Sequence, residues 1–219
     1  MLRALFEKTG NAVYISHLDL MRLFQRAFKR SGLRLTHTQG YNPRPSVSIA
    51  LPLSVGIESR CELLDFELEG DPVSCEEIMD RLNHALVEGV KVRSVYENGG
   101  KIKDIALLDC VVYLEYDDCV TDAMINDMEK LFSRPSLSVE KKSKNGVTEQ
   151  DIVPMIRRIS FTMEDANTLR IQARICCQNP TLNPAQIVAA IVRYLPDCKP
   201  DFARYCRNEI YNHDEEIFR

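Results

Sequence analysis

Between Leu2 and Tyr96 the spacing of apolar residues alternates between a period of two and a period near 3.6, and this order restricts the fold more than any other feature of the chain. Leu2 to Lys8 reads as a strand, followed by a turn at Thr9 to Asn11. From Ser16 onward Leu20, Leu23 or Phe24, Ala27 and Phe28 recur at helical spacing, while Arg22, Arg26, Lys29 and Arg30 fall on the other side. Ser16 is placed to cap this helix, Asp19 three residues later completes a weak capping box, and Gly32 ends it. Leu33 to Thr36 and Ser46 to Leu51 read as strands flanking HTQGYNPRP. The run CELLDFELEG alternates strongly, Ser74 to Val87 is amphipathic with helical period, and Val90 to Tyr96 returns to strand. The expected order is β-α-β-β-α-β, that of a ferredoxin-like unit.

The second half repeats this order of elements without repeating the sequence. Leu107 to Tyr116 reads as a strand, Thr121 to Phe132 as a helix, and Leu137 to Lys142 as a charged edge strand. Arg158 to Met163 and Leu169 to Cys176 form an expected hairpin around Glu164 to Asn167. Asn183 and Pro184 open the helix AQIVAAIVRYL, and a last strand lies near Phe202 to Tyr211. The prediction is an α+β chain of tandem ferredoxin-like units with antiparallel sheets, spanning 1–97 and 104–219. ENGGK supplies the composition of the linker. With 219 residues, 45% of them hydrophobic, the chain can bury cores of that size.

Apolar runs are broken by charge well before the ~18 residues of a membrane span, and MLRALFEKTG lacks the pattern of a signal peptide. The expectation is a cytoplasmic protein without a membrane partner. The eight cysteines include no CxxC and only one adjacent pair, Cys176 and Cys177, so buried thiols are expected rather than a metal site or cluster. No cofactor is called for. The formal net charge of −4 argues against a nucleic-acid partner, yet the first 60 residues carry nine basic side chains against three acidic ones. The rest carries nineteen basic against twenty-nine acidic. A cationic region joined to an acidic remainder fits a polyanion on one face; a solvated helix face is the plainer alternative.

The loop carries the candidate chemistry. Pro43 and Pro45 fix their own backbone and hold Asn42 and Arg44 extended, so Arg44 stands on a stiff stretch. Arg44 offers a planar fork to phosphate or carboxylate, Tyr41 a stacking face, and Gln39 and Asn42 amide edges able to read a base. Gly40 and Gly56 sit beside strands, where positive φ or close backbone approach is expected. The plainer reading is a wide turn with Tyr41 capping the core. His17 and His37 could serve as acid and base of a metal-independent ribonuclease, but His17 in a first helical turn also fits a neutral structural role. Asp19 fits a cap or a partner for Arg22 better than a catalytic acid.

The segment YISHLDLMRLFQRAFKRSGLRLTHTQGYNPRPSVSIALPLSVGIESRCELLDFEL resembles the radical SAM-linked protein family, a domain of unknown function paired with a cobalamin-binding-type radical SAM protein. The resemblance is dense from Tyr14 to Leu68 and looser beyond Val95. Where the family pattern often has Phe-Asn-Pro-His, this chain has Tyr41-Asn42-Pro43-Arg44, which removes a histidine from the loop and leaves an arginine. The resemblance implies a radical SAM protein as partner, with the cluster chemistry on that partner, and RNA as the shared substrate. The resulting expectation is an accessory protein that presents ribosomal or transfer RNA. Arg22, Arg26, Lys29 and Arg30 would take phosphate, Gln39, Gly40, Tyr41, Asn42 and Arg44 would make specific contacts, and His17, Asp19, His37, Pro43 and Gly56 would orient the loop. The alternatives are a metal-independent endoribonuclease like the CRISPR repeat-processing enzymes, whose glycine-rich C-terminal loop is missing here, and a protein-docking subunit that does not bind RNA.

Overall fold

The computed structural model describes residues 1–143 and 146–219. It is a mixed α+β protein with four α-helices and largely antiparallel pairing, divided into a unit of Met1–Ile102 with Arg219 and a unit of Lys103–Phe218. In the first unit β1 (Leu2–Lys8), α1 (His17–Arg30), β2 (Val47–Ile49), β3 (Ile57–Phe66), α2 (Cys75–Ala85) and β4 (Val90–Glu97) follow one another. The strands lie in the order β4-β1-β3-β2, each pair antiparallel.

Strand alternation sends Ala4 and Phe6 of β1 and Leu64 and Phe66 of β3 to one face, where α1 and α2 cover them. Phe6 meets Phe24 edge-on with ring centroids 4.8 Å apart, and Phe28 meets Phe66 at 4.9 Å. Each fully buried phenylalanine contributes about 1.5–3 kcal/mol by leaving water. Helix α1 begins at Ser16, whose hydroxyl accepts from the Asp19 backbone N–H at 3.2 Å. It ends in a Schellman turn: Leu33 N–H reaches the Phe28 carbonyl at 3.1 Å, and Gly32 sits at φ 73°, where a side chain would be strained. Asn83 of α2 clasps β4 by accepting from Val92 N–H at 2.8 Å and donating to the Val92 carbonyl at 2.9 Å. On the other face of the sheet, Arg3 and Asp65 stand directly opposite each other and form a buried bidentate pair at 2.5 and 3.0 Å. Gly99 lies against that guanidinium, where a Cβ would come within 2.7 Å of Nη1.

In the second unit β5 (Ile105–Glu115), β8 (Ile156–Met163), β9 (Thr168–Cys176) and β10 (Phe202–Asn212) pair antiparallel in the order β10-β5-β9-β8. Helices α3 (Asp122–Phe132) and α4 (Pro184–Tyr194) carry its apolar positions, α4 opening on a full capping box at Asn183 and Gln186. Two expectations are corrected here. The charged segment near Leu137 to Lys142 does not edge the main sheet; it is β6 (Ser138–Ser143), paired with β7 (Gly146–Asp151) in a separate ribbon. Leu33 to Thr36 is not a ladder strand either, since Leu35 makes one bridge to Leu68 and Pro45 opposite His37 has no N–H to extend the pairing. All eight cysteines are free, six of them buried, and burial pushes Cys110 up to about 12 and Cys177 up to about 11, so both stay protonated thiols at neutral pH.

Removing one half of the Arg3–Asp65 pair leaves a charge in a buried site. Asp65→Ala is expected to lower the unfolding free energy by about 3–5 kcal/mol in urea denaturation. A loss below about 1 kcal/mol would mean that Tyr96 or water satisfies Arg3 in place of Asp65.

Candidate functional site

Packing of Leu20, Phe24, Ala27 and Phe28 into the core leaves the four basic residues of α1 exposed, but not on one surface. Arg22, Arg26 and Arg30, each four residues on from the last, line a groove of about 350 Å³ floored by Ile15, Leu23 and Val87. A rise of 1.5 Å per residue sets the Cα atoms of these arginines about 6 Å apart along the axis. Lys29, turned about 100° from Arg30 by the helical period, lines a second depression of about 260 Å³ with Gln25, Arg34, His37, Pro45 and Glu69. The predicted basic face is therefore two surfaces. Arg34 and Gln25 were not among the predicted site residues; the signal for Arg34 was its place between the buried Leu33 and Leu35, which points it outward right after the helix.

The row of arginines is partly committed already. Arg22 pairs with Asp19 at 2.9 Å, both side chains more than half exposed, and an Arg30 nitrogen donates to the Ala85 carbonyl. The Ser16 hydroxyl donates to the Asp19 carboxylate at 2.7 Å; this bond, then Arg22, holds the Asp19 carboxyl below its ordinary range. Arg30 also borders a larger groove of about 680 Å³ where three carboxylates, Glu76, Glu77 and Asp80, outnumber the cations Arg30 and Arg81. That acidic lining repels a polyanion, so the arginine groove is the better anion surface of the two.

The HTQGYNPRP segment is a narrow ribbon closed by backbone bonds. Ser46 N–H reaches the Thr36 carbonyl at 2.8 Å, Thr38 N–H reaches the Arg44 carbonyl at 2.8 Å, and Arg44 N–H donates to the Thr38 hydroxyl at 3.1 Å. Thr38, which closes the ribbon twice, carried no sequence signal beyond being a threonine in a turn. Gln39, Gly40, Tyr41, Asn42, Pro43 and Arg44 all face solvent, with Gly40 at φ 143°. Tyr41 is fully exposed, which removes the reading in which it caps the core.

The residues expected to orient the loop divide. His37 opposes Pro45 at the base of the ribbon and faces Lys29 and Arg34. His17 is the first residue of α1, half-buried, and lines neither depression. Asp19 serves the helix cap and Arg22. Gly56, at φ 85°, donates to the Val13 carbonyl at 2.9 Å and so ties its own turn to residues 10–14 rather than to the loop. Among the described residues no cluster of three His, Cys, Asp or Glu side chains could hold a metal ion, and no helix is long and apolar enough to cross a membrane.

Residues 1–184 match the model of the family described as "Uncharacterized protein conserved in bacteria (DUF2344)", and the chain belongs to that family. No curated protein matches it. A crystal structure described as that of an unknown protein from Galdieria sulphuraria is similar at 10% identity and a TM-score of 0.27, over 93% of this chain and 94% of that one. At that TM-score the likeness carries no argument.

Asp19 acts as a built-in competitor for Arg22. Asp19→Asn is expected to tighten heparin or RNA binding two- to fivefold at low salt, measured by titration. Because the folded carboxyl titrates below its unfolded value, its contribution to stability is full at neutral pH and lost as pH falls through the lowered pKa. The variant should lose that acid-side step in thermal melts; unchanged binding and an unchanged acid profile would mean Arg22 is already free.

Proposed function

We propose that this DUF2344 protein is an accessory RNA-binding protein, built on two ferredoxin-like units, that presents ribosomal or transfer RNA to a radical SAM modifying enzyme. The observation that carries the reading is the arginine row of α1: three arginines on successive turns lining one groove suit a phosphodiester chain better than a single phosphate. The stiff ribbon from Thr36 to Ser46 adds the contacts that discriminate, since its exposed amides and aromatic ring lose little freedom on binding. The strand orders β4-β1-β3-β2 and β10-β5-β9-β8, each with its two helices, support the ferredoxin-like reading.

The partner follows from the resemblance of Tyr14 to Leu68 to the radical SAM-linked family. Tyr14 and Leu18, 71% and 67% exposed beside the start of α1, give a protein partner apolar contacts next to the arginine groove. An endoribonuclease would need His17 and His37 to converge on one phosphate, and only His37 lines the depression beside the ribbon.

Titration of labelled ribosomal and transfer RNA at two salt concentrations tests the reading. Arg26→Ala/Arg30→Ala is expected to weaken binding and flatten the dependence of log K on log salt by about two phosphates' worth. Arg44→Ala should reduce discrimination between RNAs more than overall affinity. Binding by the double variant equal to wild type would refute the proposal, and cleavage without metal that is lost in His37→Ala would favour the nuclease.

A further inference from the structure

We infer that the open face of the second unit's sheet stacks unpaired bases of single-stranded RNA, an inference that rests on the RNA reading above and narrows its substrate class. Register places Thr162, Arg170, Tyr113 and Arg204 directly opposite one another across β8, β9, β5 and β10. Phe202 stands across from Glu115 in the next row. Strand alternation puts these side chains on the face opposite Val112, Leu114, Leu169 and Ile171, which are buried.

The two ends of this face differ in chemistry. At one end Arg174 is saturated: it holds Asp109 at 2.8 and 3.0 Å and Glu215 at 2.7 Å, with its guanidinium 3.8 Å over the Tyr211 ring. That end is closed. At the other end Arg204 lies 4.9 Å over the half-buried Tyr113 ring and pairs with Glu115, while Arg170 reaches the neutral Gln172 at 3.4 Å. Phe202, the first residue of β10, is 59% exposed. An exposed ring on a strand stabilises nothing by itself, and here it stands one diagonal from Tyr113, about 7–8 Å away on the backbone.

The exposed Phe202 ring, beside a Tyr113 ring that Arg204 already covers on one side, matches the π-face of an unpaired base, and Arg170 matches its phosphate. Paired bases keep their faces stacked inside the helix, so a duplex has nothing to offer these rings. Arg170 adds a positive charge that Gln172 does not neutralise, which favours a polyanion over an apolar protein segment.

The chain has no tryptophan, so Phe202→Trp creates a single reporter at the proposed platform. An oligouridylate is expected to quench its emission on binding, while double-stranded RNA of the same length does not. Phe202→Ala should bind the oligouridylate about tenfold more weakly by fluorescence anisotropy, and Phe202→Tyr should bind as wild type does. The inference is overturned if Phe202→Ala binds as wild type and the reporter is not quenched. In that case the arginine-row reading still stands or falls on Arg26→Ala/Arg30→Ala. If wild type binds no RNA at low salt, both fail together.

Discussion

Two aromatic contacts, Phe6 with Phe24 and Phe28 with Phe66, decide what α1 can present to solvent. They clamp the helix against the β1 and β3 strands at two points a turn apart, which fixes its rotation about its own axis. Once that rotation is set, the arginine row, the separate direction of Lys29 and the turn at Gly32 follow from covalent geometry. The Schellman turn then sends the chain outward through Arg34 into the ribbon that carries Tyr41 and Arg44. A core interaction and a surface interaction are in this way one construction.

Electrostatics sorts the surfaces that packing leaves exposed. The chain is acidic overall, and the grooves on either side of Arg30 differ in charge balance, carboxylates prevailing in one and arginines in the other. Asp19 tempers the arginine row from its N-terminal end, where a carboxylate also suits the helix dipole. The same residue thus stabilises the helix and weakens its pull on anions.

Legibility in the sequence tracked how strongly each segment was forced by periodicity. Helix α1 was readable because its apolar residues recur without interruption and both ends carry capping chemistry at Ser16 and Gly32. The β6–β7 ribbon was not, because GVTEQD has no buried face to impose alternation. Lys29 was grouped with Arg30 because adjacency in sequence hides the angle between neighbours on a helix. The bond of Gly56 to Val13 was hidden for a similar reason, since the two lie far apart along the chain. Tyr113 and Phe202 drew no notice: an isolated aromatic in a strand says nothing until register shows what stands beside it.

The clasp of Asn83 on Val92 has a consequence for assembly. Strand β4 lies at the end of the order β4-β1-β3-β2, and a free sheet edge is a template for an incoming strand. By occupying both the N–H and the carbonyl of Val92, the amide breaks that template near the start of the strand. Another chain cannot pair along the full length of β4 without first displacing Asn83. The edge is thereby guarded against fibre-like association, and a partner that approaches it has to recognise side chains instead of backbone.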